Sequence, residues 1–388
     1  MKIETVSVKS IITNRDSLHA YFAWPTVTRL RDGRLAAAAS GFRYYHKCPF
    51  GKDVISFSED EGETWSIPAI TFDTPLDDRD SGLTPFGESG LLVTSCNNGP
   101  KSHVILHGCD RRPELKGYIQ GYLDLMNGER TEEELRRYAG SLYRISHDNG
   151  RTFGGILHAP VSSPHGPLAL PDGSFLWVGN RIDGTGAGLG KRLYCFRVFE
   201  DGSSEYLSDI EPIGGNIASY EPYAFITHTG KLIVHIRAEA PKACEITQAD
   251  DVFTIYQSES ADGGRTFTKP HSIGMESSGG APAHIVEQDG VLISVSGHRA
   301  APHQIRAAFS FDDGETWDSG HVVLDLSDMF EDFGYPSSVI LKDGSVLTVF
   351  YGADEGAPNR TFWAGKDTPI YEFTTPVVRQ VRWRWTRD

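Results

Sequence analysis

Two short segments of this 388-residue chain place a chemically capable side chain directly before a proline. Tyr220-Glu221-Pro222 presents a carboxylate, and Gly334-Tyr335-Pro336 presents a phenol. A phenol, with a pKa of about 10, is a poor nucleophile until a neighbouring base accepts its proton. A fold that brings Glu221 next to Tyr335 would therefore create a nucleophile with its base. A fold that keeps them apart would leave two residues that merely cap strands.

Repeated apolar hairpins carry these two segments and must position them. In each copy a proline is followed by an apolar stretch, an Asp-Gly or Thr-Gly turn, and a second apolar stretch that ends at a polar or cationic residue. This pattern is typical of a β-hairpin. The copies run from Pro25 to Arg43, Pro167 to Arg181, Pro222 to Arg237, Pro282 to Arg299 and Pro336 to Tyr351, with a degenerate copy from Ser81 to Asn97.

A second repeat interleaves with the hairpins. The pattern Ser-x-Asp-x-Gly-x-Thr-Trp/Phe occurs at residues 58–65, 146–153, 260–267 and 310–317. Its aspartate suits a turn in which the carboxylate bonds its own backbone, its glycine supplies a positive φ, and its aromatic residue fills the space between strands. A unit of about four strands that contains such a turn is the pattern of a propeller blade.

Six such units predict an all-β fold, a six-bladed β-propeller that occupies residues 1–388 as a single domain. We expect a short helical insertion at about residues 111–140 in the second blade, because Thr131 is followed three residues later by Glu134, as at a helix N-terminus. The run from Ile3 to Ile12 is expected to close the ring beside the C-terminal strand near Val377 to Trp385.

The hairpin ends opposite the turns are predicted to share one face of the propeller. In an antiparallel hairpin the start of the first strand and the end of the second lie at the same end. The side chains predicted for that face are Trp24, Arg43, Tyr44, Tyr45, His46, Asp53, Arg79, Asp80, His103, His165, Arg181, Glu221, Arg237, His284, His298, Arg299, Tyr335 and Tyr351. So many titratable side chains around one channel favour a polar cleft over a ring of ordinary surface loops.

Composition argues against several other classes of protein. With 37 Lys and Arg against 52 Asp and Glu, the net charge of −15 argues against nucleic acid or an anionic membrane as a partner. The longest apolar stretches fall far short of the roughly 20 residues of a membrane-spanning helix. The first ten residues lack the apolar region of a secretory signal, so we expect a cytoplasmic protein. The five cysteines form no C-x-x-C pair and are expected to be reduced thiols.

On these segments and repeats, the chain resembles the sialidase (neuraminidase) superfamily, whose members are six-bladed propellers with aspartate boxes of the Ser-x-Asp-x-Gly-x-Thr-Trp type. The resemblance covers nearly the whole chain. It implies a tyrosine nucleophile at Tyr335, an assisting glutamate at Glu221 and a carboxylate-binding arginine at Arg237. It also implies an acid/base aspartate at Asp53, on the strand that leads into the first aspartate box, with Asp80 as a competing candidate.

Two departures from the family pattern concern the binding of a sugar carboxylate. The family opens its first blade with Arg-Ile-Pro, but this chain has Ala23-Trp24-Pro25, so one of three carboxylate-binding arginines is missing from its expected place. Arg299 or Arg306 is a candidate for the third arginine, although Pro302 or His303 lies nearest the expected position. An arginine fork binds a carboxylate through two bonds, and neither histidine nor lysine reproduces that geometry.

Other residues are candidates for a rebuilt substrate site. Arg43, Arg181 and His165 are candidates for an anion site, and Trp24 for an apolar platform beneath a sugar ring. The alternative is a pocket that holds a different uronic sugar or a neutral one.

The resemblance implies a retaining exo-glycosidase that hydrolyses a terminal, anionic sugar. Tyr335 would attack the anomeric carbon, Glu221 would accept the phenol proton, and Asp53 or Asp80 would protonate the leaving oxygen. This chemistry needs a carbohydrate substrate and no metal or organic cofactor. One alternative is a polysaccharide lyase or a glycosidase of other specificity, in which His165 or His284 acts with Tyr335 beside a uronate. The other is a propeller that binds carbohydrate or protein without turnover.

Overall fold

The strands of the chain form six four-stranded antiparallel sheets, as described by a computed structural model. The structure describes residues 1–15, 17–44, 46, 48–97, 116–128, 130–182, 192–240, 253–275, 282–326, 333–354 and 376–387. Each sheet is one blade, and most neighbouring blades contact one another through their first strands, around the centre. The predicted six-bladed β-propeller is therefore confirmed.

The blades follow one another along the chain. The first three comprise β2 (Tyr21–Arg29), β3 (Leu35–Arg43), β4 (Lys52–Ser58) and β5 (Ala69–Phe72); β6 (Leu83–Phe86), β7 (Gly90–Asn97), β8 (Gly140–Ser146) and β9 (Leu157–Ala159); and β10 (Leu168–Ala169), β11 (Phe175–Gly179), β12 (Leu193–Val198) and β13 (Ser204–Ile210). The last three comprise β14 (Ala218–Ile226), β15 (Leu232–Glu239), β16 (Phe253–Ser260) and β17 (His271–Ser272); β18 (His284–Gln288), β19 (Val291–His298), β20 (Gln304–Ser310) and β21 (Asp318–Asp325); and β22 (Gly334–Ile340), β23 (Val346–Ala353), β24 (Pro376–Thr386) and β1 (Lys2–Ile12).

The sixth blade combines strands from both ends of the chain. β1 pairs with β24 in an antiparallel ladder that runs from Lys2 opposite Thr386 to Ile12 opposite Val378. The ring is thus closed by backbone hydrogen bonds between the two ends, as the strand pattern of residues 3–12 predicts.

All four aspartate boxes lie at the turn between the third and fourth strands of a blade. In the box of the fifth blade, Ser310 Oγ donates to Asp312 Oδ1 at 2.8 Å and accepts from the Gly314 backbone N–H at 2.8 Å. Asp312 also accepts bonds from the backbone and hydroxyl of Thr316. The same bonds recur in the other three boxes. The boxes are therefore local turn structures, as their residue types predict.

The hydrophobic core consists of layers between neighbouring blades. One layer packs Ala38 and Ile55 of the first blade against Leu91 and Leu142 of the second. The aromatic residue of each box contributes to the layer shared with the preceding blade; Trp317, for example, donates its indole N–H to a glutamine on β16 at 2.8 Å. Each box therefore fastens its own blade to the one before it.

The predicted insertion lies between β7 and β8 and contains α1 (Lys116–Asn127) and α2 (Glu132–Arg136). Thr131 caps α2 with the expected reciprocal bonds to Glu134. Ile119 of α1 packs against Phe50 in the loop between β3 and β4, so the insertion contacts the first blade. Residues 111–115 of the predicted insertion lie outside the described residues.

Replacing Ser310 by alanine is expected to destabilise the fold by about 1–3 kcal/mol, because the buried Gly314 N–H then loses its acceptor. The measurement is the free energy of unfolding in urea. Ser204→Ala on exposed β13 is the control and is expected to change this free energy by less than about 0.5 kcal/mol. Equal changes in the free energy of unfolding for the two substitutions would show that the hydrogen bonds of Ser310 do not stabilise the fold.

Candidate active site

Three blades begin with the same distortion of their innermost strand. In β2, β14 and β22 the pairing register shifts around Trp24, Glu221 and Tyr335, each of which precedes a proline. These residues have φ angles of 54°, 42° and 48°. Positive φ in such residues costs of order 1–3 kcal/mol and persists only where the surrounding structure enforces it. The bulges redirect the three side chains, which meet near the centre of one face.

Tyr335 and Glu221 are in direct contact. The Tyr335 hydroxyl donates to Glu221 Oε1 at 2.5 Å. Arg237, near the end of β15, donates from Nη1 to Glu221 Oε2 at 2.6 Å and to the Tyr335 oxygen at 3.4 Å. Both carboxylate oxygens are therefore engaged, one by the phenol and one by the guanidinium.

These contacts set the protonation of the pair. Burial alone would raise the pKa of Glu221, but the Arg237 charge and the bond from Tyr335 outweigh it and lower the pKa. Burial, and then the Glu221 charge, raise the pKa of Tyr335 well above its usual value. The resting pair is thus a neutral phenol that donates to an ionised carboxylate, and the carboxylate is placed to accept the proton when the phenol oxygen forms a new bond.

Glu239 is a member of the cluster that sequence reasoning missed. Its Oε2 lies 3.1 Å from Nη2 of Arg237, so this guanidinium bridges two carboxylates. The signal is the spacing, because residues two apart on a strand share one face. Once residues 232–239 are recognised as a strand, this spacing predicts that Glu239 lies beside Arg237.

Asp80 and Asp53, the two acid/base candidates, differ in accessibility. The Asp80 side chain is 18% exposed, and its Oδ2 lies 3.5 Å from Nε of Arg79. Burial raises the pKa of Asp80 to about 6; the Arg79 charge opposes the rise and the Glu221 charge adds to it. Asp53 has no exposed surface, and both of its carboxyl oxygens are sealed from solvent. Burial, and then the charge of Asp78, raise the pKa of Asp53 well above its usual value.

A leaving group can approach Asp80 but not Asp53. The pKa of Asp80, about 6, lies between that of an ordinary carboxyl group and neutral pH. Such a pKa suits a group that must hold a proton and then donate it. The structure therefore favours Asp80 over Asp53, the position that the family resemblance implies first.

Family comparison agrees with this architecture. A family model described as BNR repeat-like domain matches residues 130–348, more than half of the chain. The chain belongs to this BNR repeat-like family. A search of curated proteins finds no match.

The BNR propeller is similar to solved structures over nearly its whole length. A protein of unknown function from Dyadobacter fermentans is 18% identical with a TM-score of 0.72, and 99% of each chain is covered. NanB sialidase from Streptococcus pneumoniae is 14% identical with a TM-score of 0.61, covering 97% of this chain and 70% of that one. Trypanosoma rangeli sialidase is 14% identical with a TM-score of 0.60, covering 98% of this chain and 59% of that one. Identities this low establish the fold alone, and that fold is sialidase-like.

Trp24 is not an open platform for a sugar in this BNR propeller. The side chain is 1% exposed and packs in an aromatic cluster with Tyr21, Tyr335 and Tyr351. The guanidinium carbon of Arg79 lies over the Trp24 ring, 4.2 Å from its centroid. The tryptophan therefore supports neighbouring side chains, and the expected sugar contact is replaced by this packing.

Arg43 is fully buried and is held by protein groups. It forms an ion pair with Asp77 at 2.6 Å and donates to the hydroxyl of Ser40 and to the backbone oxygens of His46 and Asp78. Its role is structural in this arrangement, contrary to the expectation that it binds substrate.

Arg181 is exposed and lies over the rings of Tyr194 and Phe196 on β12. The structure thus does not bring it to the pair of Tyr335 and Glu221. Tyr45 and His103, also predicted on this face, lie outside the described residues.

Arg299 is the better placed of the two candidates for a third arginine. Its Nε donates to the backbone oxygen of Phe333 and its Nη2 to the hydroxyl of Tyr351, each at 2.8 Å. Its charge also lowers the pKa of Glu221. Arg306 lies on β20 and bonds Gln304 two residues away, so Arg299 is the one electrostatically coupled to the site.

His165 and His284 lie in a buried cluster of rings with Tyr223. The ring of His284 stacks on Tyr223 with centroids 4.3 Å apart, and His165 meets His284 edge-on at 5.2 Å. Nδ1 of His165 lies 2.9 Å from the hydroxyl of Thr26. Burial lowers the pKa of His165 to about 3 and that of His284 well below its usual value. Both rings are therefore neutral near neutral pH, and within the described part neither bonds the phenol.

Within the described ranges, no group of three or more His, Cys, Asp or Glu side chains is arranged to hold a metal ion. Among the helices that the structure describes, none is long and apolar enough to cross a membrane. Cys48, Cys96 and Cys195 are buried free thiols, and burial raises the pKa of each to about 12. Cys109 and Cys244 lie outside the described residues.

Proposed function

We propose that this protein is a retaining exo-glycosidase of the sialidase type that hydrolyses a terminal, anionic sugar. The observation that carries the proposal is the 2.5 Å hydrogen bond from Tyr335 to Glu221 beside Arg237. A buried phenol that donates to an ionised carboxylate is a nucleophile with its base already in place. The two sialidases named above share the fold and support the same reaction class.

In the first step the Tyr335 oxygen bonds to the anomeric carbon while the bond from that carbon to the leaving oxygen breaks. The phenol proton passes to Glu221 Oε1, and Asp80 gives its proton to the leaving oxygen. The product is a sugar joined to Tyr335, together with the free leaving group. Arg237 keeps Glu221 oriented toward the phenol throughout.

In the second step a water molecule attacks the anomeric carbon and the bond to Tyr335 breaks. Asp80 accepts a proton from the water, and Glu221 returns its proton to the phenol oxygen. The enzyme regains its starting protonation, and the two inversions leave the anomeric configuration of the sugar unchanged.

The structure argues against the alternative in which His165 or His284 abstracts a proton. Both imidazoles are buried and stacked on protein rings, away from hydrogen-bonding contact with Tyr335 in the described part of the chain. A base in a lyase must reach the hydrogen that it removes. A carbohydrate-binding propeller without turnover remains as an outcome of the experiment below.

The experiment is the hydrolysis of aryl glycosides of sialic acid, glucuronic acid, galacturonic acid and their neutral counterparts, followed by proton NMR. We expect turnover of at least one acidic glycoside, with the first-formed free sugar in the anomeric configuration of the substrate. An inverted first product would exclude a tyrosine-linked intermediate. Binding of the sugars with no turnover would identify a binding protein. A rise in ultraviolet absorbance on an added oligosaccharide of 4-linked uronates, whose C4 oxygen is the leaving group, would identify a lyase.

A further inference from the structure

We propose that Arg79 binds the carboxylate of the sugar substrate and that Trp24 holds Arg79 in position for this task. The proposal rests on the proposed function in that it assumes a sugar beside Tyr335. It assigns substrate recognition to an arginine in the connection between the first and second blades, rather than to the start of the first blade.

The guanidinium of Arg79 keeps N–H groups that no described residue accepts. Its side chain is only 11% exposed, and among the described residues its ion pair is with Asp80, whose Oδ2 lies 3.5 Å from Nε. Among the described residues, neither Nη atom has a hydrogen-bond partner, yet neither is sealed from solvent. A guanidinium that is mostly buried but keeps accessible, unpaired N–H groups is suited to a planar anion that arrives from solution.

The other arginines of the site are already committed to protein groups. Arg237 bridges the carboxylates of Glu221 and Glu239. Arg299 donates to a backbone oxygen and to the hydroxyl of Tyr351. Arg43 is fully buried in its own network. A substrate carboxylate would have to displace protein hydrogen bonds at each of these arginines, whereas the Nη groups of Arg79 form none with the described residues.

The position of Arg79 is fixed by an aromatic support. Its guanidinium carbon lies 4.2 Å from the centroid of the Trp24 ring, which is within the range of a cation–π contact. Trp24 is itself held by the rings of His46 at 5.0 Å and Tyr335 at 6.4 Å. Arg79 and Tyr335 thus both contact the indole of Trp24. This shared contact fixes the distance between the guanidinium that would bind the carboxylate and the phenol that would act as nucleophile.

The neighbouring acid adjusts the charge available to substrate. Ionised Asp80 partly neutralises Arg79 across 3.5 Å. In the proposed first step Asp80 carries its proton, so that neutralisation is absent and the Arg79 charge is available to the incoming carboxylate. Binding of an anionic sugar therefore favours the protonated form of Asp80 that the chemistry requires.

The test measures binding and does not need turnover. Calorimetry compares free sialic, glucuronic and galacturonic acids, each with its methyl ester, on the wild type and on Arg79→Gln, Arg79→Lys and Arg181→Gln. We expect the wild type to prefer at least one acid over its ester by about 10- to 100-fold. Arg79→Gln is expected to bring this ratio close to one, Arg79→Lys to leave an intermediate ratio, and Arg181→Gln, a cation outside the cluster, to leave it unchanged.

The ratio separates recognition from a general defect, since a misfolded pocket weakens the acid and the ester alike. Thermal unfolding of each variant supplies the second check. A wild-type ratio retained in Arg79→Gln would overturn the proposal, and so would a wild type that prefers no acid over its ester. An Arg79-dependent preference without hydrolysis would leave this assignment standing and remove the proposed function. Hydrolysis with a preference indifferent to Arg79 would do the reverse.

Discussion

Tyr335→Phe is expected to lower kcat/KM for an acidic aryl glycoside by at least about 10³-fold, because the substitution removes the atom that forms the covalent bond. The substitution also leaves Glu221 Oε1 without its short bond from the phenol. The comparison to make is initial-rate kinetics of the wild type and the variant on the best glycoside of the panel, with circular dichroism to establish that both are folded.

Tyr351→Phe is a matched control for this prediction. Tyr351 belongs to the same aromatic cluster, with its ring centroid 5.8 Å from that of Tyr335, and its hydroxyl accepts a bond from Arg299. Its loss is expected to reduce kcat/KM by about 10-fold or less, since one neutral partner of a charged donor is removed. Comparable losses in the two variants, or a Tyr335→Phe enzyme that stays active, would exclude Tyr335 as the nucleophile.

Asp80→Asn is expected to have an effect that depends on the leaving group. For a substrate whose leaving oxygen belongs to another sugar, kcat should fall by about 10²- to 10⁴-fold, because the leaving group departs without a proton donor. For a nitrophenyl glycoside the first step should be affected much less, because nitrophenolate leaves readily without protonation. The first steps of the two substrates are compared through kcat/KM, because Asp80 also acts in the second step and its loss there lowers kcat on both substrates.

The pH profile provides a second signature of Asp80. Its pKa is raised to about 6, and the proposed first step needs the protonated form. Wild-type activity on the sugar-linked substrate should therefore decline as pH rises through about 6, and Asp80→Asn should lose this decline. Asp53→Asn is the control. Burial keeps Asp53 protonated, so the amide is a close substitute and should leave the profile in place. A profile that changes in Asp53→Asn and not in Asp80→Asn would reassign the acid to Asp53.

The fold was predictable because its signals are local and repeated. An aspartate box encodes its own turn through bonds within five residues, such as those of Ser310 to Asp312 and Gly314. Four boxes and six hairpins fix the strand count of most blades, and the pairing of β1 with β24 follows once one strand is left over at each end.

The candidate site was predictable only in part, and the difference lies in the kind of interaction. Glu221 and Tyr335 stand at equivalent hairpin positions before prolines, so the symmetry of the propeller places both at the centre. Arg79 could not be selected as the carboxylate-binding arginine from the sequence, because that choice depends on which other arginines are hydrogen-bonded to protein groups. That information lies in long-range packing, and for the same reason the sequence pattern did not exclude Arg43, Arg181 or Trp24 as contacts for a sugar.

The seam between β1 and β24 also determines the order in which this molecule can be completed. Residues 2–12 leave the ribosome before the other strands described here, and their ladder partners in residues 376–386 leave after them. The blades between them can assemble while translation continues, whereas the backbone groups of β1 stay unpaired until β24 has been synthesised. The nascent chain therefore carries β1 without its strand partner until residues 376–386 have emerged, and an unpaired strand edge of this kind is a template for pairing with another chain.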